Sequence, residues 1–89
     1  MGLETRPARS QRVLAQPSAG TLVLLHPDSG EYYTLDEVGS RVWDLCDGSR
    51  RVADVVEVIH AEFDAPLETI RDDVLELLDD LAREHLVAA

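Results

Sequence analysis

The residues of this 89-residue chain that could do chemistry are three histidines, one cysteine, five serines and several adjacent carboxylates. Chemistry at a serine needs a base and a sharp glycine-framed turn, and Ser10, Ser18, Ser29, Ser40 and Ser49 fall in loop or helix stretches without such a turn. A metal ion needs ligands at close spacing. His26, His60 and His85 are far apart, and Cys46 has neither a histidine nor a second cysteine at a ligand's spacing. Gly30, Gly39 and Gly48 do not form a phosphate-cradling loop. The pairs Asp72-Asp73 and Asp79-Asp80 could move protons only if an apolar pocket raised a carboxylate pKa, and their helical setting predicts solvated faces instead. The expectation is a protein that is not an enzyme and carries no metal or cofactor.

What remains is surface for a partner, and the elements that would position it are legible. Thr21 to Leu25 is apolar and branched, Pro27-Asp28-Ser29-Gly30 has turn chemistry, and Glu31 to Leu35 returns, which predicts a β-hairpin. Asp36 follows where a carboxylate can accept from the free N–H groups of a helix, with Val38, Val42 and Leu45 recurring behind it. That first helix runs to Cys46 and stops at Asp47-Gly48. A second spans about Arg51 to Phe63 with Val52, Val55, Val56, Ile59 and Phe63 on one face. Asp64-Ala65-Pro66 restarts the chain into a third, about Pro66 to Glu84. Upstream, Gln11 to Ala15 predicts a first strand with Gln16 to Gly20 as its turn, and residues 1–9 form a flexible arm ahead of a single domain over 10–89. Leu86 and Val87 are free to pack back or add a short strand. The fold class is α+β: a three-stranded antiparallel sheet followed by three helices, winged helix-turn-helix-like.

On the third helix, Ile70, Val74, Leu77 and Leu81 make the core stripe. At about 100° per residue from Ile70, Leu78, Arg71, Ala82 and Leu75 fall at about 80°, 100°, 120° and 140°, a surplus apolar flank beyond what one packing contact requires. Glu31 to Leu35 comes last in its sheet, carries neither Lys nor Pro, and should leave unpaired backbone groups at an edge. Edge and flank together would make a groove for an extended peptide bound as an added strand. Four or five backbone hydrogen bonds at roughly 0.5–1.5 kcal/mol each, with two or three buried anchors at roughly 1.5–3 kcal/mol, exceed the ordering cost moderately. A dissociation constant near micromolar, about −8 kcal/mol, follows.

Composition narrows the partner. The net charge is −10, and from Asp36 onward fifteen acidic side chains face five arginines. The same fold often serves DNA-binding regulators, but nucleic acid requires a basic surface, and neither the second nor the third helix offers one. A basic peptide suits the acidity. No stretch approaches the roughly 20 apolar residues that span a bilayer, and MGLETRPARS lacks a secretion signal's apolar segment, so no membrane partner and a cytoplasmic location are expected. A lone cysteine excludes an internal disulfide. An obligate subunit whose groove is permanently filled by another protein is the further alternative.

The stretch LVLLHPDSGEYYTLDEVGSRVWDLCDG, continuing through RRVADVVEVIHAEFDAPLETIRDDVLELLDDLAREHLV, resembles the PqqD-like family, the precursor-peptide recognition elements, over roughly Val23 to Val87. The resemblance rests on the turn ending in Gly30, the two tyrosines before Leu35, Val38-Gly39, Val42-Trp43, Asp47-Gly48 and a last helix closing on Leu-Val. Asp36 stands where the family commonly has Asn, and Arg51 where a small hydroxyl residue often caps the second helix. The resemblance implies a domain that binds the leader segment of a ribosomally made precursor peptide and presents the core segment to a modifying enzyme. Carried over, one wall is Glu31, Tyr32, Tyr33, Thr34 and Leu35. The other is Arg71, Leu75, Leu78 and Ala82, with Asp72 and Asp79 as charged contacts. Free-standing members resemble either the leader-binding proteins of lasso-peptide clusters, partnered by a leader protease, or the chaperone of pyrroloquinoline quinone synthesis, partnered by a radical-SAM enzyme. Gly30 to Tyr33 and Trp43 look more like the first.

Overall fold

The computed structural model describes residues 1–89, in the order β1 (Ala8–Arg9), β2 (Leu14–Ser18), β3 (Thr21–Leu25), β4 (Tyr32–Leu35), α1 (Glu37–Leu45), α2 (Val52–Glu62), α3 (Leu67–Arg83) and β5 (Val87–Ala88). The expected three-stranded antiparallel sheet is present in the order β2-β3-β4, and β1 and β5 pair in a separate two-stranded ribbon. Leu14 lies opposite Leu25 and Leu25 opposite Tyr32, so those three share the outer face. Leu24 and Leu35, on the inner face, are buried.

The first strand lies three residues later than its sequence suggests. It covers Leu14–Ser18, and the turn shrinks to Ala19-Gly20, both at positive φ (47° and 85°), the pairing that tight hairpins favour. Pro17, whose type predicts a turn, sits inside the strand because its nitrogen lies on the side away from β3, where no ladder bond is needed. The second turn closes with the Gly30 N–H donating to the His26 carbonyl at 2.8 Å, and Gly30 has φ 73°.

Asp36 caps α1 as expected, its carboxylate accepting from the Gly39 N–H at 2.8 Å. A Cβ at Gly39 would stand 3.2 Å from Leu35 Cδ2, so glycine lets the helix start directly behind β4. At α2, Arg51 occupies the cap position without capping through its own side chain. Asp54 instead reaches back to the Arg51 N–H at 3.0 Å and to its guanidinium at 2.8 Å, which lowers the Asp54 carboxyl to about 2. Asp64 gives α3 no side-chain cap; Pro66 stands at its cap position.

Residues 1–9 lie against the helices and the C-terminal strand. The first N–H groups of a helix lack intrahelical partners, and this segment supplies them: Val52 N–H donates to the Thr5 carbonyl and Ala53 N–H to that of Leu3. Ala8–Arg9 pairs with Val87–Ala88, Pro7 is buried, and Arg9 donates to the Trp43 and Asp44 carbonyls at the end of α1. The C-terminal Leu86 and Val87 are buried by the same ribbon. Sixteen buried apolar residues form one aliphatic core, with Trp43 its only buried aromatic.

Candidate functional site: an open strand edge and its groove

In an antiparallel ladder, residues alternately turn their backbone groups toward the neighbour and away from it. His26 N–H donates to the Glu31 carbonyl at 3.0 Å, which fixes the alternation. Glu31, Tyr33 and Leu35 therefore bond toward β3, whereas Tyr32 and Thr34 direct theirs outward. No other strand pairs with β4. Two N–H and two C=O groups are thus presented at this edge, as the sequence predicts for Glu31 to Leu35. The opposite edge differs. In β2, Leu14, Gln16 and Ser18 bond toward β3, leaving Ala15 and Pro17 outward, and Pro17 has no N–H to give.

Beside the open edge lies a hollow of about 460 Å³ between β4, the start of α1, the end of α2 and α3. Tyr33, Leu35, Val38, Phe63 and Leu77 give it apolar walls, and Asp73 stands on its rim. Tyr33 is the tyrosine of the groove. Its side chain is half-buried, and burial together with Asp80, Glu76 and Glu84 pushes its hydroxyl pKa up. Tyr32 points to the outer face, 71% exposed. Further along, the carboxyls of Glu31 and Glu84 face one another, and this contact raises the Glu84 pKa.

On α3, the residues beside the hollow differ from those of the expected helix wall. Leu78 is fully buried, and Leu77, assigned to the core by its spacing, borders the hollow. Leu75 and Ala82 are partly buried against the core, and Arg71 contacts Asp72 at 3.5 Å. Asp79 is bonded to the Met1 amine. None of the expected helix-wall residues lines the hollow beside β4, and Asp79 meets the chain's N-terminus instead. The flank beside β4 carries Asp73, Leu77, Asp80 and Glu84, at about 300°, 340°, 280° and 320° on the same wheel. Of the predicted strand wall, Tyr32 and Thr34 offer backbone, Tyr33 lines the groove, Glu31 stands at its end, and Leu35 forms part of its floor. The 73/77/80/84 spacing was the available signal for the missed residues.

With this geometry in place, comparisons with known proteins identify relatives. Residues 21–87 match the family described as Coenzyme PQQ synthesis protein D (PqqD). A PqqA binding protein of Xanthomonas axonopodis pv. citri is 34% identical over 86 residues, covering 94% of this chain and 91% of that protein. A PqqA binding protein of Bradyrhizobium diazoefficiens is 45% identical over 47 residues, covering 53% of this chain and 46% of that protein, so the chain spans less than half of that relative. Among solved structures, TbiB1 in complex with the TbiA(beta) leader peptide superposes with a TM-score of 0.81 at 33% identity, over 92% of this chain and 95% of that one. Lasso peptide synthetase B1 complexed with its leader peptide also gives 0.81, at 18% identity over 94% and 99%, a likeness of fold.

Proposed function

Because the chain belongs to the PqqD family, we propose that it binds the leader segment of a ribosomally synthesised precursor peptide and delivers it to a modifying enzyme or leader protease. The observation that carries this is the vacant edge of β4, where the Tyr32 and Thr34 backbone groups point outward beside the Tyr33–Leu77 hollow. An extended leader adds as a fourth strand, gains up to four backbone hydrogen bonds, and inserts alternate side chains into the hollow. The residues of the site bind and orient; the bond-breaking chemistry belongs to the partner. The site comprises Glu31 to Leu35 as strand wall, with Asp73, Leu77, Asp80 and Glu84 replacing the helix wall first expected.

The lasso type, working with a leader protease, is favoured by the likeness to TbiB1, whose structure contains a leader peptide. The second reading, a peptide chaperone working with a radical-SAM enzyme of pyrroloquinoline quinone synthesis, draws on relatives named PqqA binding protein. No helix is long and apolar enough to cross a membrane, and a cytoplasmic role fits a partner of newly made peptides. Fluorescence polarisation with labelled peptides tiling the precursors encoded near this gene tests the proposal. One leader segment should bind near micromolar affinity. Absence of binding by every tile would refute it.

A further inference from the structure

A peptide strand lying along β4 has its side chains dictated by the same alternation that orders β4. Glu31, Tyr33 and Leu35 share the inner face, so the peptide residues opposite them also face inward, at steps of two, whichever way the peptide runs. The two ends of that inward row meet different chemistry. At the Leu35 end is the apolar hollow bounded by Val38, Phe63 and Leu77. At the other end are Glu31 and Glu84, whose carboxyls face each other, with Asp80 and Glu76 near the Tyr33 hydroxyl between the two ends.

Taking the peptide-binding reading of this groove as given, we propose that it selects a leader in a fixed frame: an apolar residue over the Leu35–Leu77 hollow and, four positions along the same face, a lysine or arginine between Glu31 and Glu84. Neither glutamate is in a salt bridge, and the nearby Arg83 is engaged with Asp80 at 2.9 Å. The Glu31 and Glu84 carboxyls repel one another, and Arg83 and His85 beside Glu84 offset that repulsion only in part. A cationic side chain between them converts repulsion into attraction. Charge also argues against a second copy on the edge, since each copy brings a net charge of −10.

The probe is the fluorescein-labelled leader tile that binds tightest, synthesised as a positional scan with Lys, Gln and Glu at each residue and Asp at each apolar one. Glu in place of Lys should weaken binding about five- to tenfold at one position, four residues from the position where Asp is most damaging. The double variant Glu31→Lys/Glu84→Lys should invert that preference, and Glu31→Gln/Glu84→Gln should erase it, with circular dichroism unchanged for both. An unaltered Lys-over-Glu ranking in the reversed variant, or an odd separation between the two sensitive positions, overturns the frame. In either case continued binding by the parent peptide leaves the peptide-binding reading standing. Sedimentation showing a dimer that the peptide does not dissociate would place a second copy on the edge and overturn both.

Discussion

The sheet has two outer edges, and they are built to opposite ends. The β2 edge turns Ala15 and Pro17 outward, so a neighbouring strand would meet a proline ring where it needs a donor. The β4 edge turns Tyr32 and Thr34 outward with every donor present. Helix α3 repeats the contrast on its flanks. On one flank Leu75 and Ala82 pack against the core and Asp79 holds the Met1 amine, whereas the other, with Asp73 and Leu77, borders a hollow. Closed and open surfaces alternate within three elements, and the open pair adjoins. Specificity here begins with what is shut, because a chain of this size with two open edges would pair with itself as readily as with a peptide.

The contrast between the two flanks of α3 gives the largest expected effect. Leu78→Ala should lower unfolding free energy by about 2–5 kcal/mol in urea denaturation, because Leu78 is fully buried, while Leu77→Ala should leave most of the stability in place. Equal losses would break the distinction between the flanks. At the edge, Thr34→Pro copies onto β4 the device that β2 already carries at Pro17, so the fold should tolerate it. Losing one outward donor and seating a ring against the incoming strand should cost about 1–3 kcal/mol of peptide affinity in fluorescence polarisation. Leu77→Ala should cost about 1–2 kcal/mol of the same affinity by removing a wall of the hollow. The reverse exchange, Pro17→Thr, unblocks β2 and should produce weak, concentration-dependent self-association by sedimentation. A strictly monomeric variant would mean that Pro17 is not what closes that edge.

The smallest effect is electrostatic. The folded-state pKa of Glu84 lies above its ordinary 4.5 because Glu31 faces it. The stability contributed by that shared proton is present below 4.5 and is lost as pH rises through the raised value. Glu84→Gln should therefore raise the melting temperature slightly at pH 7 and leave it unchanged in acid. A lowered melting temperature at pH 7 would mean that Arg83 and His85 outweigh Glu31 at Glu84.

Much of this was legible in the residues. The hairpin, three helices, the Asp36 cap and the open edge at Glu31 to Leu35 follow from local chemistry that tertiary contacts did not override. The flank of α3 was not legible, for a physical reason. Leu77 and Leu78 are adjacent on the helix and differ by about 100°, and which one is buried depends on what packs beside them. Residues 1–9 and 86–88 join the packed structure through strand pairing at a distance and through carbonyls that accept from the α2 N–H groups, neither of which leaves a periodic pattern. Pro17 misled in the same way. A proline reads as a turn until the strand's alternation is known, and at an outward position it is compatible with the ladder.

Leader binding by strand addition depends on Tyr32 and Thr34 receiving a visiting strand. The most direct measurement is amide hydrogen exchange by NMR at Ala15, Tyr32 and Thr34, with and without saturating leader peptide. Exchange at Tyr32 and Thr34 should slow markedly on binding, while Ala15, outward on the closed edge, remains as fast as before. Fast exchange at both β4 amides in a protein saturated with peptide would contradict strand addition.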